Sequence, residues 1–310
     1  MNRFRNILVA VANPADAADV VRSAAELANR NNATVTLMGF VAEGSAERRI
    51  VLHDGTEVDV ASMLAEAMLD ELGELRSASG SPSMALTVSI GVDFVEVIRQ
   101  VERAGHDLVL VAGGNGRKRR NVASSSLVMH LLRKCPVPVW VQTPNASEST
   151  DVVVGVGPFH QGEPHIELNT TLVELASSLA HVQNGVLHVV HAWRLEGESL
   201  LRRGRVTPPA GQVDELVELA HLEASMNLKR LTEGLRTDVP MEVHLVKGEP
   251  GSVVPAVVRD TGAGILVMGT LARVGIRGVF MGNTAERILG GVGASVLAVK
   301  PDGFATPIAR

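Results

Sequence analysis

The sequence predicts an α/β protein made of two tandem copies of one domain, each a five-stranded parallel sheet with helices on both faces. Two observations support this prediction. The second half of the chain repeats the first at nearly constant offsets. Within each half, short apolar runs rich in Val, Ile and Leu alternate with longer segments of helical spacing, an order typical of parallel sheets with helical crossovers.

The repeat is visible before any motif is considered. Residues 91–144 align with residues 248–301 without a gap, at an offset of 157, so that GHDLVLVAGG lies over GAGILVMGTL. The starts of the copies pair at an offset of 145 and the second strands at 152, so two insertions lengthen the second copy. The polar segment TPNASESTD, residues 143–151, is typical of a linker. We therefore expect domains at residues 1–145 and 150–305.

The elements follow from their residue patterns in chain order. The strands of the first copy are short runs with many β-branched residues, ILVAV, TVTLMGF, LTVSIG, DLVLVA and VPVWV. Its helices are DVVRSAAELANR, SMLAEAMLDELGELRSA and FVEVIRQVERAG, and the second copy adds NTTLVELASSLAH and DELVELAHLEASMNLKRLTEGL. Right-handed crossovers place such helices on both faces. Ligands are then expected where strand order reverses, beyond the carboxyl ends of strands one and four.

Composition argues against several classes of function. The chain has 310 residues, 45% of them hydrophobic, with a formal charge of −5 and a pI of about 6.1, which disfavours bulk attraction to nucleic acid or anionic lipid. Two Trp, six Phe and no Tyr leave few platforms for stacking bases. The lone Cys135 cannot form an internal disulfide, which favours a reducing compartment. With neither a signal peptide nor an apolar stretch of spanning length, we expect a cytoplasmic protein with no nucleic-acid partner and no membrane insertion.

The fourth strand of the second copy leads toward a glycine-flanked helix start. The strand ends at Met268 and Gly269, and residues 282–284, Gly-Asn-Thr, precede AERILGGV. Glycine lets a ligand approach the backbone, and a helix N-terminus offers free N–H groups and a positive dipole end that suit phosphate. Asn283 and Glu286 also form a capping-box pattern, which by itself requires nothing more than a helix start.

The segment GTLARVGIRGVFMGNTAE resembles the signature of the universal stress protein family. That signature has a glycine, two residues, a second glycine and nine residues before a glycine with Ser or Thr. Gly269 and Gly282 match, Ala272 replaces the middle glycine, and Asn283 replaces the hydroxyl residue, with Thr284 next to it. With HLLRKCPVPVW in the first copy, GNTAE is similar to the tandem two-domain, E-type members. The resemblance covers nearly the whole chain and implies a Rossmann-like fold related to the adenine-nucleotide alpha hydrolases.

The family includes ATP-binding and non-binding members, so membership alone does not decide the ligand, and the resemblance implies that a bound nucleotide would lie in the second copy. The positions that match the binding type are our candidate cofactor-binding residues: Gly157, Ala192, Met268, Gly269, Ala272, Gly282, Asn283, Thr284 and Ala285. An acidic residue normally ends strand one, where this chain has Gly157, and Ala12 in the first copy. Ala192 stands where a backbone contact is expected. The implied ligand is ATP or another adenine nucleotide, with Mg²⁺ only if a nucleotide is bound.

The same alignment makes the first copy a degenerate site. Ala112, Asn115 and Ser125 stand where the three glycines would be, and Ser126 keeps the hydroxyl type. The basic run at residues 117–120 could grip an anion, although such runs are more often solvated loops.

Neither a catalytic nor a metal-binding constellation is visible. His188 and His191 lie three apart in one strand and should point to opposite faces, so they cannot bind one metal together. His160 and His165 lack Cys or carboxylate partners at ligand spacing. Cys135 is interpreted as a small buried hydrophobe at a helix end rather than a nucleophile. We expect no catalytic residue and no metal.

The sequence therefore predicts a non-catalytic stress-response or regulatory module, not an enzyme. The alternative is a module that binds a lipid or other apolar small molecule in the same cleft, and an adenylate-forming or ATP-pyrophosphatase relative is the enzymatic hypothesis. The copies are expected to pack as an intramolecular pseudo-dimer. In the family this contact commonly uses the last strand, here VPVWV and SVLAV, and a homodimer is a further expectation. The loop at residues 196–212 either roofs the second site or is a flexible excursion.

Overall fold

A computed structural model describes residues 4–45, 49–51, 53–54, 57–81, 83–113, 125–144, 147, 149–157, 159, 163–204, 208–209, 211–270 and 281–308. Within these residues the chain forms twelve β-strands and nine α-helices. None of the helices in this part of the chain combines the length and the apolar composition that crossing a membrane requires.

The first domain follows the predicted alternation of strands and helices. Its main strands are β1 (Asn6–Val11), β2 (Thr34–Val41), β5 (Ala85–Ile90), β6 (Leu108–Ala112) and β7 (Val139–Gln142). Its helices are α1 (Ala18–Asn31), α2 (Val60–Ala78), α3 (Asp93–Ala104) and α4 (Ser126–Lys134). An antiparallel hairpin, β3 (Arg49–Val51) and β4 (Glu57–Asp59), separates β2 from α2. The sequence did not predict this hairpin, because strands of three residues are too short to show an alternating pattern.

The second domain repeats these elements. Its strands are β8 (Val152–Gly155), β9 (Leu187–Trp193), β10 (Met241–Lys247), β11 (Ile265–Gly269) and β12 (Ser295–Val299). Its helices are α5 (Glu163–Gln183), α6 (Glu198–Arg203), α7 (Gln212–Glu233), α8 (Pro250–Thr261) and α9 (Asn283–Gly291). The bounds of β11, α8 and α9 equal those of β6, α3 and α4 at the predicted offset of 157. The first insertion lies in the helix after strand one, since α5 has 21 residues where α1 has 14.

All ten main strands form one continuous sheet in the order β10-β9-β8-β11-β12-β7-β6-β1-β2-β5. Within each domain every pairing is parallel, and the order reverses between β1 and β6 and between β8 and β11. The prediction of two five-stranded parallel sheets is confirmed. The switch points lie beside strands one and four of each copy, as expected.

The two domains join through their last strands. β12 pairs with β7 in antiparallel orientation, with Val296 opposite Val141, Leu297 opposite Trp140 and Ala298 opposite Val139. Trp140 and Leu297 occupy equivalent positions in the repeat, so they face each other across a pseudo-twofold axis. This is the isologous contact that duplication of a dimerising domain would leave behind.

Helices cover both faces of the sheet, as predicted. One buried cluster joins the sheet to α1, α2, α5 and α7, and the other joins it to α3, α4, α8 and α9. Strand residues alternate between the clusters, with Ile7, Val9 and Val11 on one side and Leu8 and Ala10 on the other. Cys135, the residue after α4, is fully buried with a free thiol, which confirms its interpretation as a packed residue.

Lys300 places an amine in the protein interior just after β12. The residue is 6% exposed, its Nζ has no hydrogen-bond partner among the described residues, and the Phe304 ring centroid lies 5.3 Å away. Because removal from water disfavours the charged form, burial lowers the pKa of Lys300 from 10.5 to about 8. The folded protein therefore bears a cost for the protonated amine at neutral pH.

Replacing this lysine should stabilise the protein in a pH-dependent way. Between the folded pKa of about 8 and the unfolded value of 10.5 the unfolded chain binds more protons, so wild-type stability rises with pH in this window. Lys300→Met should raise the free energy of unfolding by up to about 3 kcal/mol at pH 7, and by much less near the upper end of the window. Thermal unfolding followed by circular dichroism at pH 7 and near pH 10.5 measures the change in stability. Lys229→Met, at an exposed lysine, is the control. Equal effects at both pH values would contradict the buried-amine assignment.

Candidate functional site

Three neighbouring strands of the second domain end at one edge of the sheet. β8 is paired with β9 on one side and with β11 on the other, all in parallel. The structure therefore brings Gly157, Ala192 and Gly269 to the same carboxyl edge. Met268, in contrast, is 3% exposed and its side chain packs in the core. Only its backbone could contact a ligand at this edge.

Helix α9 begins beside this edge without a side-chain cap. Gly282 is its N-cap residue, and the Gly282 N–H donates to the carbonyl oxygen of Thr270 at 3.3 Å, which ties the helix start to the end of β11. Asn283 is the first helical residue rather than the cap, and Glu286 forms an ion pair with Arg133 of the first domain at 2.6 Å. The capping-box interpretation is therefore wrong. Among the described residues no side chain caps the first N–H groups of α9, and free N–H groups at a helix start are an arrangement that binds anions.

A buried hydroxyl lies next to this helix start. Thr270 directly follows β11, is 1% exposed, and its Oγ1 has no hydrogen-bond partner among the described residues. A buried polar group without a partner costs about 1–3 kcal/mol, which an acceptor oxygen of a ligand would recover. In the first turn of α9, Thr284 is exposed and Ala285 packs into the core. Thr270 was not among the sequence candidates, although its position after the strand glycine was the available signal.

The end of β8 has no room for the carboxylate that normally ends strand one. Gly157 has a φ of +117°, and its N–H donates to Oδ1 of Asn169 at 2.9 Å. A Cβ added to Gly157 would lie 2.8 Å from Nδ1 of His191 and 2.9 Å from Cε1 of that ring. The ring is held by Val156, whose carbonyl oxygen lies 3.0 Å from Nδ1, and by an edge contact with Phe159 at 4.8 Å between centroids. An imidazole from strand two therefore occupies the space that a strand-one side chain would need.

Some sequence candidates lie outside the described residues. Ala272 falls in the segment 271–280, and the basic run 117–120 falls in the segment 114–124. His160 and the side chain of His165 also fall outside them. In the first domain, Ser125 is equivalent to Gly282 at the repeat offset of 157. It is the N-cap residue of α4 and, like Gly282, makes no side-chain cap bond.

A cavity of about 1020 Å³ lies between α5 and α7. Apolar side chains from both helices and the adjoining loops form part of its wall: Phe159, Ile166, Val173, Val182, Leu231 and Leu235. Ionisable side chains also line it: Glu174, His181, Arg230, Arg236 and Asp238. Asn169 connects the cavity with the strand edge, because it lines the cavity while its Oδ1 holds Gly157, and its Nδ2 is buried without a partner among the described residues. Sequence patterns missed this cavity, because its walls come from helices far apart in the chain.

The predicted loop at residues 196–212 contains the short helix α6, which ion pairs hold in place. Glu198 accepts hydrogen bonds from Lys247 at the end of β10 and from Arg202, at 3.1 Å and 3.0 Å. Arg202 also donates to Asp214 at the start of α7 at 2.8 Å. The hydrogen bond from Lys247, followed by that from Arg202, lowers the pKa of Glu198. The described part of this segment is thus attached to β10 and α7 by hydrogen bonds rather than projecting freely from the domain.

Comparison with known proteins identifies the family. A sequence model described as the universal stress protein family matches residues 3–142 and 166–300. The chain belongs to the universal stress protein family. Both domains carry the match, so the protein is a tandem universal stress protein, as its repeat predicted.

Curated relatives of this universal stress protein are of the E type. Universal stress protein E of Escherichia coli K12 is 32% identical over 220 residues, which are 69% of this chain and 67% of the relative. The protein of that name from Photorhabdus laumondii is 30% identical over 68% of this chain and 67% of its own length. The universal stress protein E homolog of Haemophilus influenzae is 25% identical over 96% of this chain and 98% of its own.

Solved structures show the same fold. A functionally unknown protein from Pseudomonas aeruginosa PAO1 has a TM-score of 0.69 at 20% identity, covering 97% of this chain and 94% of that one. A universal stress protein from Archaeoglobus fulgidus DSM 4304 has a TM-score of 0.60 at 15% identity, covering 97% and 98%. The fold class predicted from the sequence is thereby confirmed over 97% of the chain.

The packing of His191 against Gly157 predicts an asymmetric response to two glycine substitutions. Gly157→Ala should lower the free energy of unfolding by roughly 1–3 kcal/mol, because the added methyl group meets the ring at a φ that L-residues rarely adopt. Gly155→Ala is the matched control, since its Cβ would lie no closer than 3.7 Å to Val254. Urea unfolding of both variants measures the difference.

A double-mutant cycle separates the two causes. Adding His191→Ala to Gly157→Ala removes the clash but keeps the backbone strain, so the combined loss should be smaller than the sum of the single losses. Strict additivity of the two losses would contradict the steric explanation.

Proposed function

We propose that this universal stress protein is a non-catalytic stress-response module whose second domain binds the phosphate groups of an adenine nucleotide. One observation carries the proposal, the uncapped start of α9 beside the buried Thr270 hydroxyl that has no partner among the described residues. Both lie at a strand-order reversal, where α/β sheets bind ligands. The N–H groups and the positive dipole end of α9 favour phosphate oxygens.

Phosphate contacts should dominate the binding energy. The His191 ring fills the place of the nucleoside-binding carboxylate, and the backbone at Ala192 is the remaining strand-end contact for the base. We therefore expect ATP and GTP to bind within about tenfold of each other, and AMP to bind more weakly than either. Mg²⁺ would enter only with the nucleotide. A cytoplasmic location and a homodimer stay predictions.

Calorimetry with matched helix-start variants tests this proposal. ATP, GTP and AMP are titrated with and without Mg²⁺ into wild type, Gly282→Val and Ser125→Val. A branched side chain at the start of α9 should obstruct the approach of phosphate and weaken ATP binding by about tenfold or more, whereas Ser125→Val at the equivalent position of α4 should leave it unchanged.

Three results would oppose the proposal in whole or in part. The first is the absence of heat with any nucleotide, together with no nucleotide released when purified protein is denatured. The second is an equal loss in both variants, which would place the binding elsewhere. The third, Mg²⁺-dependent release of pyrophosphate from ATP, would oppose only the non-catalytic part of the proposal and would support the enzymatic hypothesis.

The cavity between α5 and α7 supports a second candidate function, the binding of a lipid or other amphipathic molecule. Its residues extend along α5 from Ile166 to Val182, about 24 Å of helix, which is long enough for an acyl chain. Arg230 and Arg236 line the same cavity and suit an acidic head group. The amide nitrogen of Asn169, which has no partner among the described residues, offers a further donor inside it.

Filling the cavity tests the second candidate. Native mass spectrometry of purified protein should show a bound lipid-like mass in wild type. Ser178→Trp, which adds a large side chain to the cavity wall, should remove that mass, whereas Glu167→Trp on the exposed side of α5 should not. Retention of the ligand in Ser178→Trp would contradict binding in this cavity. If both variants still bind ATP, the two candidate functions are independent of each other.

A further inference from the structure

Three side chains that can bind a metal meet on the two outer strands of the second domain. His188 lies on β9, and Glu242 and His244 lie on the edge strand β10. The parallel register places Glu242 directly opposite His188. Because alternate residues of a strand share a face, His244 projects from the same face as Glu242 and His188. The ligands therefore converge through strand pairing rather than through a local sequence motif.

The separations of the three groups match a coordination polyhedron. Nδ1 of His188 lies 3.1 Å from Nε2 of His244, and Oε2 of Glu242 lies 3.4 Å from the first nitrogen and 3.9 Å from the second. In a tetrahedral zinc site with metal–ligand bonds of about 2.0–2.1 Å, neighbouring ligand atoms are roughly 3.3 Å apart. A cation between the three atoms would need only small side-chain adjustments.

The three groups run from the protein interior to the solvent. His188 has 7% of its side chain exposed and His244 has 26%, whereas Glu242 is 63% exposed and closes the group from the solvent side. Neutral imidazole nitrogen and carboxylate oxygen are the donors that zinc takes in proteins.

We propose that His188, Glu242 and His244 form a binding site for a divalent cation of the zinc type, with water from the solvent side as the fourth ligand. The expectation of no metal came from residue spacing within one strand and one loop, whereas these ligands come from two strands. The site is distinct from the proposed phosphate site, because His188 stands near the start of β9, about 13 Å along the strand from Ala192. A cation there would pin the edge strand β10 to β9.

The contacts have a simpler explanation, a hydrogen bond between the two imidazoles with the carboxylate beside them. The two explanations differ in the role of Glu242. A hydrogen-bonded histidine pair needs no carboxylate, whereas a metal site loses one of three protein ligands when Glu242 is neutralised. The exposed position of Glu242 makes this substitution structurally mild.

The test uses the full chain without a histidine tag. Co²⁺ is titrated as a spectroscopic substitute and should give the visible absorption of a tetrahedral site at one equivalent, displaced by Zn²⁺. Zn²⁺ should also raise the thermal midpoint by several degrees, because a ligand that binds only the folded state stabilises it. His244→Ala should abolish the Co²⁺ absorption, and Glu242→Gln should weaken Zn²⁺ binding by at least about tenfold.

Matched substitutions elsewhere in the domain serve as controls. His181→Ala and Glu233→Gln remove an exposed imidazole and an exposed carboxylate, and both should bind Co²⁺ and Zn²⁺ like wild type. Absence of Co²⁺ absorption in wild type would overturn the proposal. So would unchanged Zn²⁺ affinity in both Glu242→Gln and His244→Ala, provided that their circular dichroism spectra match wild type.

Discussion

The structure depends on the antiparallel pairing of β7 with β12. Trp140 and Leu297, equivalent residues of the two copies, face each other there, so one chain reproduces the contact of a symmetric dimer. The pairing covers one edge of each five-stranded sheet and removes two strands from exposure to other chains. Because the pairing is antiparallel, the strands of the two domains run in opposite directions. The carboxyl ends of the strands, where the switch points lie, therefore face opposite ways along the strand axis in the two domains.

The two copies have equal lengths where they build this contact and differ in length elsewhere. The gapless part of the repeat contains strands four and five of each copy, which build the contact between the domains. The length differences lie elsewhere, in the hairpin of the first domain, in the seven additional residues of α5 and in α6. The cavity lies along α5, the longer of the two equivalent helices. The length differences therefore lie away from the contact between the two domains.

The candidate phosphate site was predictable in part. Gly269 and Gly282 mark the end of β11 and the start of α9. The sequence also shows that no acid ends strand one, but not why. His191 lies 34 residues beyond Gly157 in the chain, and only the alignment of β9 beside β8 brings its ring against that glycine. Thr270 was also missed, because its hydroxyl points to a ligand only once the structure shows that it is buried and has no hydrogen-bond partner among the described residues.

The sequence by itself determined the repeat, the alternation of strands and helices, and the family. These are linear properties, since duplication leaves a constant offset and secondary structure leaves a local period. Tertiary structure alone decided which side chains meet. His188 and His244 are 56 residues apart, and Ser177 and Thr237 on the cavity wall are 60 apart. Strand register and helix packing bring such residues within hydrogen-bond distance, and no local pattern records the distance between two elements that fold side by side.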